Sequence, residues 1–190
     1  MRHRHGNLIK NRYKLAPDGV VNCFVRERTI VMSGTIRRKL LRDIASALWT
    51  LQNGDPIRPI FFVVRSNGGC AVTALMIAAM LRGSIVPIYT HVERLAASSA
   101  VFIFLAGNRR SMASDACLGI HPARAAVLMH SAKNQRLIDY YIKTINRRLV
   151  DELRFATHMT KRDAAILLQQ ESMISANDAL NLRLATDVLD

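Results

Sequence analysis

Ile60-Phe61-Phe62-Val63-Val64-Arg65-Ser66-Asn67-Gly68-Gly69-Cys70-Ala71 is the stretch that decides the fold. Five consecutive β-forming apolar residues, Ile60 to Val64, read as a strand covered on both faces, as in a parallel sheet. Ser66-Asn67-Gly68-Gly69 then makes a tight turn. Ala71 to Leu81 follows, apolar nearly all round, and is predicted to be a buried helix. Strand, glycine turn and helix in this order make one half of a βαβ unit.

The unit extends in both directions. Upstream, Thr29-Ile30-Val31-Met32 is a short strand ending at Ser33-Gly34. Arg38 to Gln52 is a helix with Leu40, Leu41, Ile44, Leu48 and Leu51 near one face, and Asn53-Gly54-Asp55-Pro56 breaks it. Downstream, Ser84 to Thr90 reads as a strand, Ala96 to Leu105 as a helix and Cys117 to Ile120 as another strand. The alternation predicts an α/β fold with parallel pairing and right-handed crossovers. The last third is helical. Ile138, Ile142, Ile145, Leu149 and Leu153 recur at helical spacing, which predicts one long amphipathic helix over 132–158. Thr160 and Ser175 are candidate caps for two further helices. A helix that long, leaving a compact core, points to packing against another subunit.

Composition narrows the classes. The 190 residues, half of them hydrophobic, suit one domain with a substantial core. The net charge of +13 raises nucleic-acid binding. From Met1 to Arg42, however, eleven Lys or Arg face only Asp18 and Glu27, so much of the excess sits at one end. No zinc-finger spacing, aromatic RNA-binding strand or basic zipper accompanies it. Nucleic acid is therefore not expected as a partner, and residues 1–27 read as a basic arm before a domain over 28–190. Cys23, Cys70 and Cys117 are far apart and show no CxxC spacing, which argues against a metal site and fits a reducing, cytoplasmic setting. The N-terminus lacks the apolar run of a signal peptide. Leu95 to Gly107 is too short to span a bilayer, and Cys70 to Tyr89 contains Arg82 and Gly83, so no membrane segment is expected. No cofactor motif is present.

Three features carry chemistry. Gly68-Gly69 permits positive φ and leaves backbone N–H groups unshielded at a helix start. That serves a simple turn or an oxyanion site. Ala96-Ala97-Ser98-Ser99-Ala100 puts serines among small residues at a helix start, as a cap or as a nucleophile, with Ser98 or Ser99 in that role. Ile120-His121-Pro122 puts a histidine at a strand's carboxyl end, where open α/β sheets carry their sites; His130 is the competing base. Acyl transfer needs a nucleophile, a base and oxyanion donors, and all three types fall at strand-to-helix junctions of one predicted sheet.

These segments resemble the proteolytic subunit of the Clp protease family. Ser66-Asn67-Gly68-Gly69 is similar to the family's Asn-Ser-Pro-Gly-Gly. Leu95 to Phe102 is similar to its nucleophile motif, Ile120-His121-Pro122 to its Ile-His-Gln-Pro, and Met173 to Ala179 to its Phe-Leu-Ser-Ala-Pro-Glu-Ala. The resemblance covers residues 28–190. It implies a crotonase-like, Clp-protease-like fold of stacked ββα units with a long C-terminal handle helix. It further implies a serine endopeptidase with Ser98 as nucleophile and His121 as base, and with the Gly68-Gly69 backbone and the Ser99 N–H as oxyanion donors. A homo-oligomeric ring, a heptamer or double ring, fed unfolded chains or peptides by an ATP-dependent unfoldase, is also implied. Leu167 stands where the family has its catalytic Asp. Glu171 is the nearest carboxylate and is assigned the acid's role, with Asp163 as another one turn before Leu167. The alternatives are a non-catalytic ring subunit, an acyl-CoA enzyme of the wider crotonase-like class, and a nucleic-acid-binding module.

Overall fold

The structure is a computed structural model that describes residues 19–124 and 132–190. Most of residues 1–27, and His130, lie outside the described residues. Eight strands and six helices are described: β1 Val20–Phe24, β2 Thr29–Ser33, α1 Lys39–Gly54, β3 Ile60–Ser66, α2 Ala71–Arg82, β4 Ile88–Ala97, α3 Ala100–Phe104, β5 Arg109–Ala113, β6 Cys117–Gly119, α4 Ala132–Thr157, α5 Lys161–Gln169, β7 Met173–Ser175, α6 Ala176–Asn181 and β8 Asp187–Leu189.

The expected parallel sheet is present. β2, β3, β4, β5 and β8 run parallel in that order, and β1 closes one edge antiparallel to β2. Val20 to Phe24, placed in the basic arm by its composition, thus forms an edge strand. Between Val64 and Ser66 the register against β4 shifts: Val64 pairs with Val92, but Ser66 pairs with Ala96. Extra residues in one strand bend it, and here the bend lets β4 serve two neighbours. Residues 89–92 pair with β5, while Leu95 to Ala97 pair with β6, which pairs antiparallel with β7. The sequence pattern predicts a helix from Ala96. Instead β4 runs to Ala97 and the helix is only Ala100–Phe104.

Burial along β3 alternates. Ile60, Phe62 and Val64 are fully buried, whereas Phe61 is 46% exposed. The strand is therefore covered on one face, not on both as the apolar run implied. The covered face packs on Leu40, Ile44 and Leu48 of α1, Ile77 and Leu81 of α2, and the short, entirely buried α3. Long α4 joins this core through Ile145, Leu149 and Leu153, while Leu137, Tyr140 and Tyr141 nearer its start are exposed. Thr160 and Ser175 cap α5 and α6 as expected, accepting from the N–H groups of Asp163 and Asp178. Asp163 is engaged there, its carboxylate accepting from Thr160 Oγ1 at 2.7 Å.

One buried cation closes the end of α1. Arg28, 5% exposed, donates to the carbonyls of Leu51 (2.8 Å), Asp55 (2.9 Å), Arg58 (2.8 Å) and Pro59 (3.2 Å). The last carbonyls of a helix lack intrahelical donors, and the five N–H groups of a guanidinium can serve several at once.

Candidate active site

One row of the sheet aligns the functional loops. Ser66 of β3, Ala96 of β4 and Leu118 of β6 are register neighbours. Two or three residues beyond this row lie Gly68-Gly69, Ser98-Ser99 and His121. The three sequence-predicted segments thus leave adjacent strand ends, on the carboxyl side of a parallel sheet, where such sheets carry their sites.

Local geometry sharpens each position. Ser98 has φ 56°, a left-handed conformation that costs a serine about 1–3 kcal/mol. Its N–H donates to Gly119 O at 2.7 Å, which ties the turn to the end of β6. Gly68 has φ +98°, and a Cβ placed there would stand 2.6 Å from Ser98 Cβ and 3.1 Å from Ser98 Oγ. Only glycine lets the β3–α2 loop approach the serine this closely. The loop is held from the other side by Ile36, whose N–H donates to Gly68 O and whose O accepts from Cys70 N–H, both at 2.9 Å. In this extended pairing the intervening Gly69 turns its own N–H and C=O away from Ile36. Its carbonyl accepts from Ser99 Oγ at 3.3 Å, so that edge faces the Ser98–Ser99 turn. Ser99 itself is 3% exposed and precedes α3, where first-turn N–H groups have no intrahelical acceptor.

Ser98, Ser99, Gly69 and His121 line one cavity of about 290 Å³. Its wall is apolar, formed by Val72, Tyr141, Ile142, Ile145 and Leu149, with Arg124 also lining it. No hydrogen bond joins Ser98 Oγ to His121 among the described residues. His121 Nδ1 lies 2.8 Å from the carbonyl oxygen of Pro122. A carbonyl only accepts, so Nδ1 carries the proton, and Nε2 is left as the acceptor nitrogen a general base needs.

The structure does not bring Glu171 to His121. The Glu171 carboxylate pairs with Arg124 on the surface, and the residue has φ 51°. Leu167 is 8% exposed and belongs to the core. Among the described residues, no group of three His, Cys, Asp or Glu is placed to hold a metal ion. Cys70, which the sequence reading did not single out, also lines the cavity. Burial pushes its thiol up, but hydrogen bonds from the Thr73 side chain and from the Thr73 and Val72 N–H groups outweigh this and leave it below the ordinary thiol value. Its position one residue after Gly69 was the available signal.

The Ser98 turn after β4, His121 after β6 and the Gly68-Gly69 loop after β3 thus lie together at one end of an α/β sheet. Comparison with known proteins gives the family. The Clp protease family model matches residues 14–190. The ATP-dependent Clp protease proteolytic subunit 1 of Chlamydia muridarum is 26% identical over 165 residues, 85% of this chain and 86% of that relative. The subunit 1 of Chlamydia caviae is 24% identical over 184 residues, 91% and 96% of the two chains. The proteolytic subunit 2 of Treponema denticola is 30% identical over 92 residues, 48% of this chain and 46% of that relative. The chain belongs to the Clp protease family, a peptidase family, and its α/β architecture is consistent with that membership.

Proposed function

We propose that this chain is a serine endopeptidase subunit that cleaves peptide bonds through an acyl-enzyme on Ser98. The observation that carries the reading is the placement of Gly69, Ser98, Ser99 and His121, just beyond one register row of the sheet, around one cavity. His121 Nε2 takes the Ser98 proton as Oγ attacks the scissile carbonyl. The Gly69 and Ser99 N–H groups receive the oxyanion, and the His121 proton then passes to the leaving amine. Water repeats the sequence to release the acid. Arranged donors of this kind typically contribute a factor of about 10²–10³. The apolar wall of Val72, Tyr141, Ile142, Ile145 and Leu149 suits an apolar side chain on the acyl side of the bond.

The subunit works in a homo-oligomeric ring. The supporting observation is the first half of α4, where Leu137 and Tyr140 are exposed large apolar side chains. An ATP-dependent unfoldase and a cytoplasmic location follow from the family resemblance; no described helix is long and apolar enough to cross a membrane. A second reading, a structural ring subunit without activity, draws on one observation: among the described residues no carboxylate reaches His121. Hydrolysis of short fluorogenic peptides separates the two. Cleavage after an apolar residue, abolished in Ser98→Ala, supports the peptidase. A folded, oligomeric wild type that cleaves none of a broad peptide panel supports the structural subunit.

A further inference from the structure

We propose that Asn146 of α4 is a positioning residue for His121, acting through the backbone of Pro122 and Ala123 in the place a carboxylate would otherwise take. The inference rests on the Ser98–His121 reading but has its own observable.

The chain of contacts is short. His121 Nδ1–H donates to Pro122 O at 2.8 Å. The next residue is gripped at both of its backbone groups by one side chain. Ala123 N–H donates to Asn146 Oδ1 at 2.7 Å, and Asn146 Nδ2 donates to Ala123 O at 3.3 Å. Asn146 sits between Ile145, which is buried and lines the cavity, and the next inward turn at Leu149, so the core fixes its height on α4. A primary amide is the side chain for this task, since it offers an acceptor and a donor from one planar group. Residues 121–124 have no helical or strand hydrogen bonds of their own. The amide clamp supplies in part what a strand partner would, and it holds the peptide whose carbonyl selects the His121 tautomer.

A carboxylate that bonds a catalytic imidazole fixes its tautomer and also stabilises the imidazolium. The Pro122 carbonyl does the first through a dipole rather than a full charge. His121 is therefore oriented without Glu171, which is occupied by Arg124. Loss of Asn146 should leave the fold and the cavity in place and release the 121–124 segment. The imidazole then relaxes toward the Nε2–H form, in which Nε2 cannot accept the serine proton.

The test uses the full chain with 15N-labelled histidine. Imidazole nitrogen spectra, assigned with a His121→Gln control, read the neutral tautomer, and a fluorophosphonate probe reads Ser98 reactivity. Wild type is expected in the Nδ1–H form. Asn146→Ala is expected to shift to Nε2–H with labelling at least tenfold slower. Asn146→Asp keeps the acceptor of the 2.7 Å bond and is expected to keep the Nδ1–H form and to label within a few-fold of wild type; it also serves if the alanine variant does not fold. Glu171→Gln should change neither readout. An Nε2–H tautomer in wild type, an unchanged tautomer in folded Asn146→Ala, or a tautomer shift in Glu171→Gln overturns the proposal. If wild type does not label, yet its Nδ1–H form is lost in Asn146→Ala, the peptidase reading fails while the positioning role stands.

Discussion

Replacing Gly68 with alanine tests the closeness on which the site depends. Alanine brings one methyl group, and that methyl would stand 2.6 Å from Ser98 Cβ, 2.7 Å from Ala97 O and 3.1 Å from Ser98 Oγ. Non-bonded carbons settle at about 3.5–4.0 Å, so roughly 1 Å must open between the β3–α2 loop and the Ser98 turn. Neither side gives easily. Ile36 holds the loop, and the Ser98 N–H bond to Gly119 holds the turn. The φ of +98° adds a backbone cost for any residue with a Cβ. Strain of that kind costs about 1–3 kcal/mol and overpacking about as much again, so a loss of roughly 2–6 kcal/mol is expected. A 1 Å misplacement of reacting groups can cost about 10²-fold in rate. The assay pairs guanidinium denaturation with the rate of fluorophosphonate labelling of Ser98. Gly68→Ala with unchanged midpoint and labelling within twofold of wild type would refute the argument that the loop and serine are in obligatory contact.

Other substitutions probe the frame. Gly54→Ala should stabilise by about 0.5–1 kcal/mol, because nothing lies within 4 Å of its added methyl and alanine is the better helix former; a lowered denaturation midpoint would contradict this. Arg28→Ala should cost about 3 kcal/mol or more by stranding the carbonyls of Leu51, Asp55, Arg58 and Pro59. Arg28→Lys should recover only part, since an ammonium lacks the guanidinium fork; full recovery in the lysine variant would show the fork to be unimportant. His91 gives a pH test. Burial pushes its pKa below the ordinary value, against the attraction of Glu93 and with the repulsion of Arg65. The unfolded chain therefore binds more protons near pH 6.5, so stability should fall as pH drops from 7 through that range. His91→Gln should flatten the dependence, measured as the midpoint against pH, and an equally steep profile in the variant would reject the assignment.

Much of this was legible in the sequence because it depended on local pattern. The apolar run at Ile60 to Val64, the helical spacing along α4 and the caps at Thr160 and Ser175 all fell where the residues indicated. Ser98, His121 and the Gly68-Gly69 pair stand out as candidates only in combination, because each alone serves equally as a cap, a strand-end residue or a turn, while all three fall at predicted strand ends. What escaped was set by pairing. β1, β5, β7 and β8 are short, β5 carries Arg109 and Arg110 and β8 carries Asp187, and all four become strands only because a neighbour supplies their hydrogen bonds. The extension of β4 through Ala97 needs the register shift against β3, which no local signal encodes. Phe61 reads as buried from its own apolarity, yet it lies on the sheet's open face. A carboxylate is the partner that the resemblance implies for His121. The group that meets His121 is the main-chain carbonyl of Pro122, and a backbone oxygen leaves no mark in sequence.

The central claim is that Ser98 is an activated nucleophile. Its most direct test is labelling of the full chain by a fluorophosphonate, wild type beside Ser98→Ala, with the modified residue located by mass spectrometry. The account predicts one adduct per chain, on Ser98, absent from the Ser98→Ala variant. A folded wild type that takes no label, or an adduct on Ser99 that survives in Ser98→Ala, would contradict it.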